Sequence, residues 1–200
     1  MVVKIVTDST SDLPPELAEC FGIKVVPLNV HFGDQTFKDG VDLSADEFYE
    51  RLIAGGVLPR TSQPSPGEFM ETYDEVGRDA DAIVSIHISA KLSGTYNSAI
   101  QGMQQVSVEC PIQVVDSQQA SLGLGMVALV AARVANDGGT LDEVADAARE
   151  ASGRAECFTL LDTLEYLEKG GRIGKASAML GTLLRIKPMV IIRDGEVHEL

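Results

Sequence analysis

The chain is poor in tryptophan, cysteine and positive charge, and each deficit restricts its function. Its 200 residues include no Trp, three Cys, and 16 Lys or Arg against 30 Asp or Glu, which gives a formal net charge of −14. Nucleic-acid binding is disfavoured because it depends on neutralising phosphates with cations. An odd number of cysteines without a CxxC pair predicts free thiols in a reducing compartment, so we expect a cytoplasmic protein.

Several catalytic and cofactor motifs are also missing. The chain contains no HExxH zinc motif and no GxSxG nucleophile elbow. Residues 123–128 fit GxGxxA but lie inside a helical pattern, away from any strand-to-helix turn. Residues 170–177 resemble a phosphate-binding loop, but the spacing is one residue short and Ala176 replaces the magnesium-binding hydroxyl. The apolar run 122–132 is too short to span a membrane.

Apolar strands alternate with helical segments through most of the chain. This order predicts an α/β fold with a parallel sheet and helices on both faces. The predicted strands are 2–6, 23–30, 82–88 and 112–115, and the main predicted helices follow at 15–21, 44–54, 66–76, 119–135 and 141–152.

The pattern changes after residue 153. Residues 155–161 form a new apolar strand, and the Asp194-Gly195 turn predicts a hairpin of 189–192 with 196–198. We therefore predict an N-terminal α/β domain over 1–153 and the start of a second α/β domain over 154–200. The sequence stops inside a predicted strand, so we expect the second domain to be incomplete as given.

The seven residues from Arg60 to Pro66 form a stiff, hydroxyl-rich segment. Ser65, Pro66 and Glu68 have the spacing of a helix N-cap, first turn and capping box. Thr61 and Ser62 would then lie just outside a helix N-terminus, where hydroxyl donors suit a carboxylate or phosphate. The alternative is an ordinary capped loop.

Three further polar loops follow predicted strands, at 8–12, 89–97 and 116–119. Ligands of open α/β sheets bind beyond the carboxyl ends of the strands. Ser93 precedes Gly94, which permits close backbone approach, although Ser93 is equally explained as a helix cap. His87 lies among strand residues and is predicted to be a satisfied sheet histidine rather than a ligand or base.

The apolar helix that begins near Leu122 allows two interpretations. It is either a helix buried between layers or one whose small residues leave room for a long apolar ligand. Gly123 and Gly125 belong to this set of small residues.

Taken in order, these segments resemble the DegV family of fatty-acid-binding proteins over essentially the whole chain. The matching stretches are 7–13 (TDSTSDL), 61–65 (TSQPS), 92–96 (LSGTY), 166–173 (YLEKGGRI), 180–188 (LGTLLRIKP) and 194–195 (DG). No single stretch is decisive, but their joint order is specific. Family members continue through further elements of the second domain, including a carboxylate-binding histidine that cannot be assigned in this sequence.

The resemblance implies a carrier that binds one long-chain fatty acid between two α/β domains and has no catalytic or metal site. It implies that Thr61 and Ser93, with Ser62, hold the carboxylate. Other possible pocket or partner contacts are Ser9, Gly94, Gly123, Gly125 and Arg172. It further implies that a separate ATP-dependent fatty acid kinase converts the presented acid to an acyl-phosphate.

Two alternatives stay open from the residues. The protein would be a magnesium-dependent small-molecule kinase or phosphosubstrate carrier if Asp8, Asp12 and Asp116 held the metal and the hydroxyl loops held phosphate. The other alternative is a purely structural or regulatory binder, for which the sequence offers no marker.

Overall fold

Ten strands and seven α-helices are present in the computed structural model, which describes residues 1–180 and 187–200. The strands are β1 Val3–Asp8, β2 Ile23–Val26, β3 Asn29–Phe32, β4 Gln35–Lys38, β5 Arg60–Ser62, β6 Ala82–His87, β7 Ile112–Asp116, β8 Phe158–Leu160, β9 Met189–Arg193 and β10 Glu196–Glu199. The helices are α1 Pro15–Phe21, α2 Ala45–Ala54, α3 Pro66–Val76, α4 Thr95–Met103, α5 Leu122–Asn136, α6 Leu141–Arg154 and α7 Glu165–Gly170.

A four-stranded parallel sheet forms the centre of the fold, with strand order β2-β1-β6-β7. Residues of α1, α5 and α6 pack on one face of this sheet, and residues of α3 and α4 pack on the other. The predicted parallel α/β sheet with helices on both faces is therefore confirmed. Strand β6 is buried along its whole length, although Ser85 and His87 interrupt its apolar residues.

Two small antiparallel sheets flank this centre, and the first corrects two sequence predictions. The predicted strand 23–30 is two strands separated by Pro27 and Leu28, because Pro27 has no backbone donor and the Leu28 amide donates to Ser9 Oγ at 3.0 Å. The predicted loop at 60–62 is instead strand β5. It pairs with β3 in the sheet β4-β3-β5.

The second small sheet has the order β10-β9-β8 and its own small core, which includes Leu164, Val190 and Val197. The predicted hairpin is confirmed, since β9 and β10 pair through the turn at Asp194 and Gly195, both with positive φ. The family-like stretch 180–188 falls partly on 181–186, outside the described residues. A division of the chain at 153/154 remains a prediction.

Helix α5 differs from the predicted all-round buried helix. Leu122 and Met126 are each 58% exposed, whereas the small residues of α5 face the core. A Cβ added at Gly125 would lie 2.5 Å from the backbone oxygen of Ser11. The glycines of α5 therefore allow close packing against neighbouring protein atoms.

Candidate functional site

The segment that precedes α3 has the predicted cap. The Ser65 amide donates to Glu68 Oε2 at 2.7 Å, and the Glu68 amide donates to Ser65 Oγ at 3.3 Å. Lys38 pairs with Glu68 from the neighbouring strand β4. Partial burial opposes ionisation, but the hydrogen bonds from Lys38 and Ser65 hold the pKa of Glu68 below its usual value. The chain is thus firmly anchored directly after Thr61 and Ser62.

Thr61 and Ser62 lie on opposite faces of β5 because successive strand side chains alternate. Ser62 Oγ is 2.9 Å from Nε2 of His31, whose Nδ1 is 2.9 Å from Thr36 Oγ1. Thr61 is exposed, and its hydroxyl makes no hydrogen bond within the described part of the chain. Thr61 therefore has a free donor, whereas Ser62 already has a protein partner.

Ser93 lies in the loop between β6 and α4 and is half-buried. Its Oγ accepts from the Thr95 amide at 3.3 Å and lies 2.9 Å from Thr95 Oγ1. Ser93 is nevertheless not the helix cap, because the N-cap of α4 is Gly94 and the helix has no side-chain cap hydrogen bond. When Thr95 Oγ1 acts as the donor in the second contact, the Ser93 hydrogen stays available for a ligand.

The two hydroxyl loops meet through Gln63 and Gly94. A Cβ added at Gly94 would lie 2.8 Å from Nε2 of Gln63, so the Gln63 side chain rests directly on the glycine backbone. Helices α3 and α4, which follow these loops, pack together just below, where Gly102 approaches Pro66 and Phe69. The fold thus brings together two loops whose hydroxyl residues, Thr61 and Ser93, are 32 positions apart in the sequence.

A buried polar network holds the neighbouring loops in place. Asp8 Oδ2 accepts from His87 Nδ1 at 2.9 Å and from the Ile88 amide at 3.1 Å, while Asp8 Oδ1 accepts from the amide and the hydroxyl of Thr10. Asp8 and His87 are completely buried. Asp8 therefore connects the loop after β1 to the loop after β6, which contains Ser93.

The network continues from His87 to helix α3. His87 Nε2 lies 2.7 Å from Ser85 Oγ, which accepts from Tyr73 OH at 2.9 Å. Burial raises the pKa of Tyr73 above its usual value, so the phenol remains a donor. These contacts confirm that His87 is a satisfied sheet histidine. Ser85, His87 and Asp8 are hydrogen-bonded in the order of a Ser-His-Asp hydrolase triad. Ser85 is completely buried, however, and is therefore inaccessible to substrate.

The three aspartates of the magnesium alternative are separately engaged. Asp8 accepts its four hydrogen bonds from protein donors. Asp12 Oδ2 accepts from Ser121 Oγ at 2.5 Å. Asp116 Oδ1 accepts from the amides of Gln118 and Ala90. Over residues 1–180 and 187–200, no group of three or more His, Cys, Asp or Glu side chains is arranged to hold a metal ion. These contacts support loop-stabilising roles for the three carboxylates.

The hairpin β9–β10 contacts the Ser93 loop. Ser89 Oγ donates to the Gly195 carbonyl at 2.8 Å, and Leu92 packs against both the main core and the core beside β9. Ser93 therefore lies where the small C-terminal sheet meets the parallel sheet.

An apolar face is exposed on the small C-terminal sheet. Phe158, Leu160 and Met189 are 54%, 60% and 39% exposed, and Leu160 pairs directly with Met189 across β8 and β9. On α5, Leu122 and Met126 are also exposed. Apolar groups clustered in this way are typical of a binding surface.

The other predicted pocket or partner contacts are Ser9, Gly94, Gly123, Gly125 and Arg172. Ser9 Oγ accepts from the Leu28 amide, and Gly94 is covered by Gln63. The space beside Gly123 is filled by Gln119 and Cys157, so neither Gly123 nor Gly125 lines an open pocket here. Arg172 is exposed, and its Nη1 donates to the Gly170 carbonyl at 2.6 Å. Its guanidinium thus has room for a partner group.

Comparisons with known proteins agree with this architecture. A sequence model of a protein family, described as "Uncharacterised protein, DegV family", matches residues 2–200. A DegV domain-containing protein of Deinococcus radiodurans is 43% identical over 197 residues, which cover 98% of this chain and 69% of that protein. No helix in the described residues is long and apolar enough to cross a membrane.

Two solved structures are similar over nearly the whole chain. A DegV family protein of Thermus thermophilus, described by its fatty acid binding, has a TM-score of 0.90 and 40% identity, and the match covers 100% of this chain and 71% of that one. A protein of Eubacterium ventriosum described as binding stearic acid has a TM-score of 0.90 and 30% identity, with 99% and 69% coverage.

Proposed function

The chain belongs to the DegV family, and we propose that it binds one long-chain fatty acid, whose carboxylate is held by Thr61 and Ser93. The observation that carries this proposal is the contact of Gln63 with Gly94, which brings the two hydroxyl loops together. Two neutral donors can hold a carboxylate through charge-assisted hydrogen bonds without a metal or a cationic side chain. Ser62 is a weaker candidate because its hydroxyl already contacts His31.

The exposed apolar side chains offer a surface for the hydrocarbon chain. Phe158, Leu160 and Met189 form one face of the C-terminal sheet, and Leu122 and Met126 lie on α5. The first three belong to the same small sheet whose hairpin contacts the Ser93 loop. A ligand with a polar head at Ser93 and an apolar tail along this face matches the chemistry of both surfaces.

Purified protein is expected to carry a long-chain fatty acid in near-stoichiometric amount. Burial of about fourteen methylenes at about 0.8 kcal/mol each offers about 11 kcal/mol before ordering costs. Such a ligand should dissociate slowly enough to survive purification. Solvent extraction followed by mass spectrometry measures it directly.

Protein stripped of lipid and then incubated with added fatty acid serves as the positive control. An extract without lipid, from protein that also takes up no added acid, would reject the proposed function.

The carrier presents the carboxylate to a separate ATP-dependent fatty acid kinase, which forms the acyl-phosphate. No group in the carrier is assigned a chemical step on this proposal. The carrier holds the hydrocarbon tail buried and leaves a carboxylate oxygen exposed to the kinase. Burial of the tail, which does not react, provides the binding energy.

Arg172 is expected to act in kinase docking or phosphate transfer rather than in lipid affinity. Among residues 1–180 and 187–200, Arg172 forms no salt bridge with the nearby Glu165 or Glu168, and Glu165 pairs with Lys169. Arg172→Ala should leave fatty acid binding intact and reduce acyl-phosphate formation, because a guanidinium that pairs with an oxyanion would be lost. Normal kinase turnover with this variant as carrier would contradict the assignment, and Lys175→Ala on the same segment provides a control.

A further inference from the structure

The outer side of helix α2 is apolar although it faces solvent. Tyr49 is 59% exposed and Ile53 is 83% exposed, and they are followed by Val57 and Leu58 at 52% and 42%. We call these four residues the α2 surface. Helix α2 buries no residue completely, and Ile53, Val57 and Leu58 belong to none of the packed apolar cores of residues 1–180 and 187–200.

The opposite side of α2 attaches the helix to its sheet. Phe48 packs edge-on against Phe32 at a centroid distance of 5.7 Å, and Arg51 stacks over Phe37 at 4.8 Å. Ser44 and Glu47 form a complete capping box. Tyr49 takes part in this attachment, since its ring packs edge-on against Phe48 at a centroid distance of 5.5 Å. Ile53, Val57 and Leu58 belong to none of the packed apolar cores of the described residues, so solvent exposure would favour polar residues at these three positions.

The geometry of the α2 surface suits a helical partner. Tyr49 and Ile53 are separated by one helical turn, so they form a stripe about 6 Å long. The stripe leads to Val57 and Leu58, which line a cavity of about 460 Å³ together with His31, Gly33, Asp34, Gly56 and Arg60. A stripe with an adjoining cavity can receive the spaced apolar anchors of an amphipathic helix.

The charges beside the stripe specify the partner's chemistry. Asp46 and Glu50 are exposed and have no ion-pair partner among residues 1–180 and 187–200. Arg51, the only cation of α2, is exposed, but its guanidinium stacks over Phe37 and donates to Gln35, on the side of the helix away from the stripe. Arg60 contributes one cation at the far wall of the cavity. The stripe is therefore bordered by negative charge, which favours a partner with Lys or Arg beside its apolar residues.

The same charges disfavour two other occupants. Two copies of a chain with a net charge of −14 repel each other, and the acidic border would be duplicated at a symmetric contact. An anionic lipid surface attracts basic rather than acidic helix faces.

We propose that the α2 surface docks a basic amphipathic helix of a partner protein. Strand β5 begins two residues after Leu58, and the cavity is lined by His31 and Arg60, so the docked helix would lie on the face of β5 opposite Thr61. This inference goes beyond the proposed function and does not require the chain to bind a fatty acid.

Synthetic peptides of about 18 residues, or five helical turns, provide the probe. One has an apolar Leu stripe flanked by Lys, a second replaces Lys by Gln, and each contains a single Trp. Because the chain has no Trp, fluorescence reports the peptide alone. The Lys peptide should bind at least about tenfold more tightly than the Gln peptide, and Ile53→Ser should weaken it about tenfold.

Two variants make the test specific. The double variant Asp46→Asn, Glu50→Gln should abolish the preference for the Lys peptide while it retains the apolar stripe. Leu17→Ser is the matched control, because Leu17 is exposed on α1 between Glu16 and Glu19. Leu17→Ser should leave the affinity unchanged, and circular dichroism should show native helix content in every variant.

Three results would overturn the proposal. The first is equal affinity of the Lys peptide for wild type, Ile53→Ser and Leu17→Ser. The second is binding to phosphatidylcholine vesicles, with or without anionic lipid, that Ile53→Ser abolishes. The third is self-association in sedimentation experiments that the same variant abolishes. The predicted peptide pattern in a chain that takes up no fatty acid would support docking and reject only the carrier function.

Discussion

Replacement of Asp8 by alanine is expected to lower the free energy of unfolding by about 3–5 kcal/mol, because it breaks a buried, fully hydrogen-bonded network. Four donors, two from Thr10 and one each from His87 and Ile88, would lose their acceptor. The site is completely buried, so water cannot replace the carboxylate without opening the sheet. Urea unfolding followed by far-ultraviolet circular dichroism measures the change.

Asp116→Ala is the matched control for this experiment. Asp116 also ends a strand of the parallel sheet and accepts from two backbone amides, but it is only half-buried. Its loss should cost about 1–2 kcal/mol. If Asp8→Ala destabilises the protein no more than Asp116→Ala does, the network through His87 contributes little to stability.

Features encoded by neighbouring residues were predictable from the sequence. The capping box at Ser65 formed as predicted because N-cap and N3 residues interact across only three positions. The Asp194-Gly195 turn formed because both of its residues tolerate positive φ. The parallel sheet followed from the strand and helix order, since parallel strands require crossover helices.

Features that depend on distant partners were not predictable. Asp8 and His87 are 79 positions apart, so neither residue type nor spacing indicates that they pair. Strand β5 has only three residues, which is too short to show a period of two. From the sequence alone, Thr61 and Ser62 are consequently equivalent donors, although strand pairing places them on opposite faces of β5.

The exposed surfaces show the same limit. Hydrophobicity alone predicted that α5 is either buried or lines a cavity, and the structure shows one helix with a core-facing side of small residues and an exposed side with Leu122 and Met126. Which side faces the core depends on the packing of α5 against β1 and α6, and neither contact is encoded within the helix itself.

The variants Thr61→Val and Ser93→Ala are each expected to weaken fatty acid binding roughly 10- to 100-fold, since a hydrogen bond to a charged group contributes about 1.5–3 kcal/mol. Thr61→Val is the cleaner variant, because it keeps the side-chain shape and Thr61 makes no other hydroxyl hydrogen bond in the described chain. Ser93→Ala also removes the acceptor of the Thr95 amide, so its thermal stability must be measured in parallel. The two effects need not add, because both donors contact one carboxylate.

Affinity for a fatty alcohol of equal chain length separates carboxylate binding from general disruption of the pocket. Both variants should weaken binding of the acid far more than binding of the alcohol, because the charge strengthens only the former hydrogen bonds. Ser62→Ala is the control on the same strand, and it should change acid affinity little, since the Ser62 hydroxyl lies 2.9 Å from His31 on the other face. If Thr61→Val and Ser93→Ala bind the acid as tightly as wild type, or if Ser62→Ala alone reduces the affinity, the carboxylate lies elsewhere and the assignment to Thr61 and Ser93 is wrong.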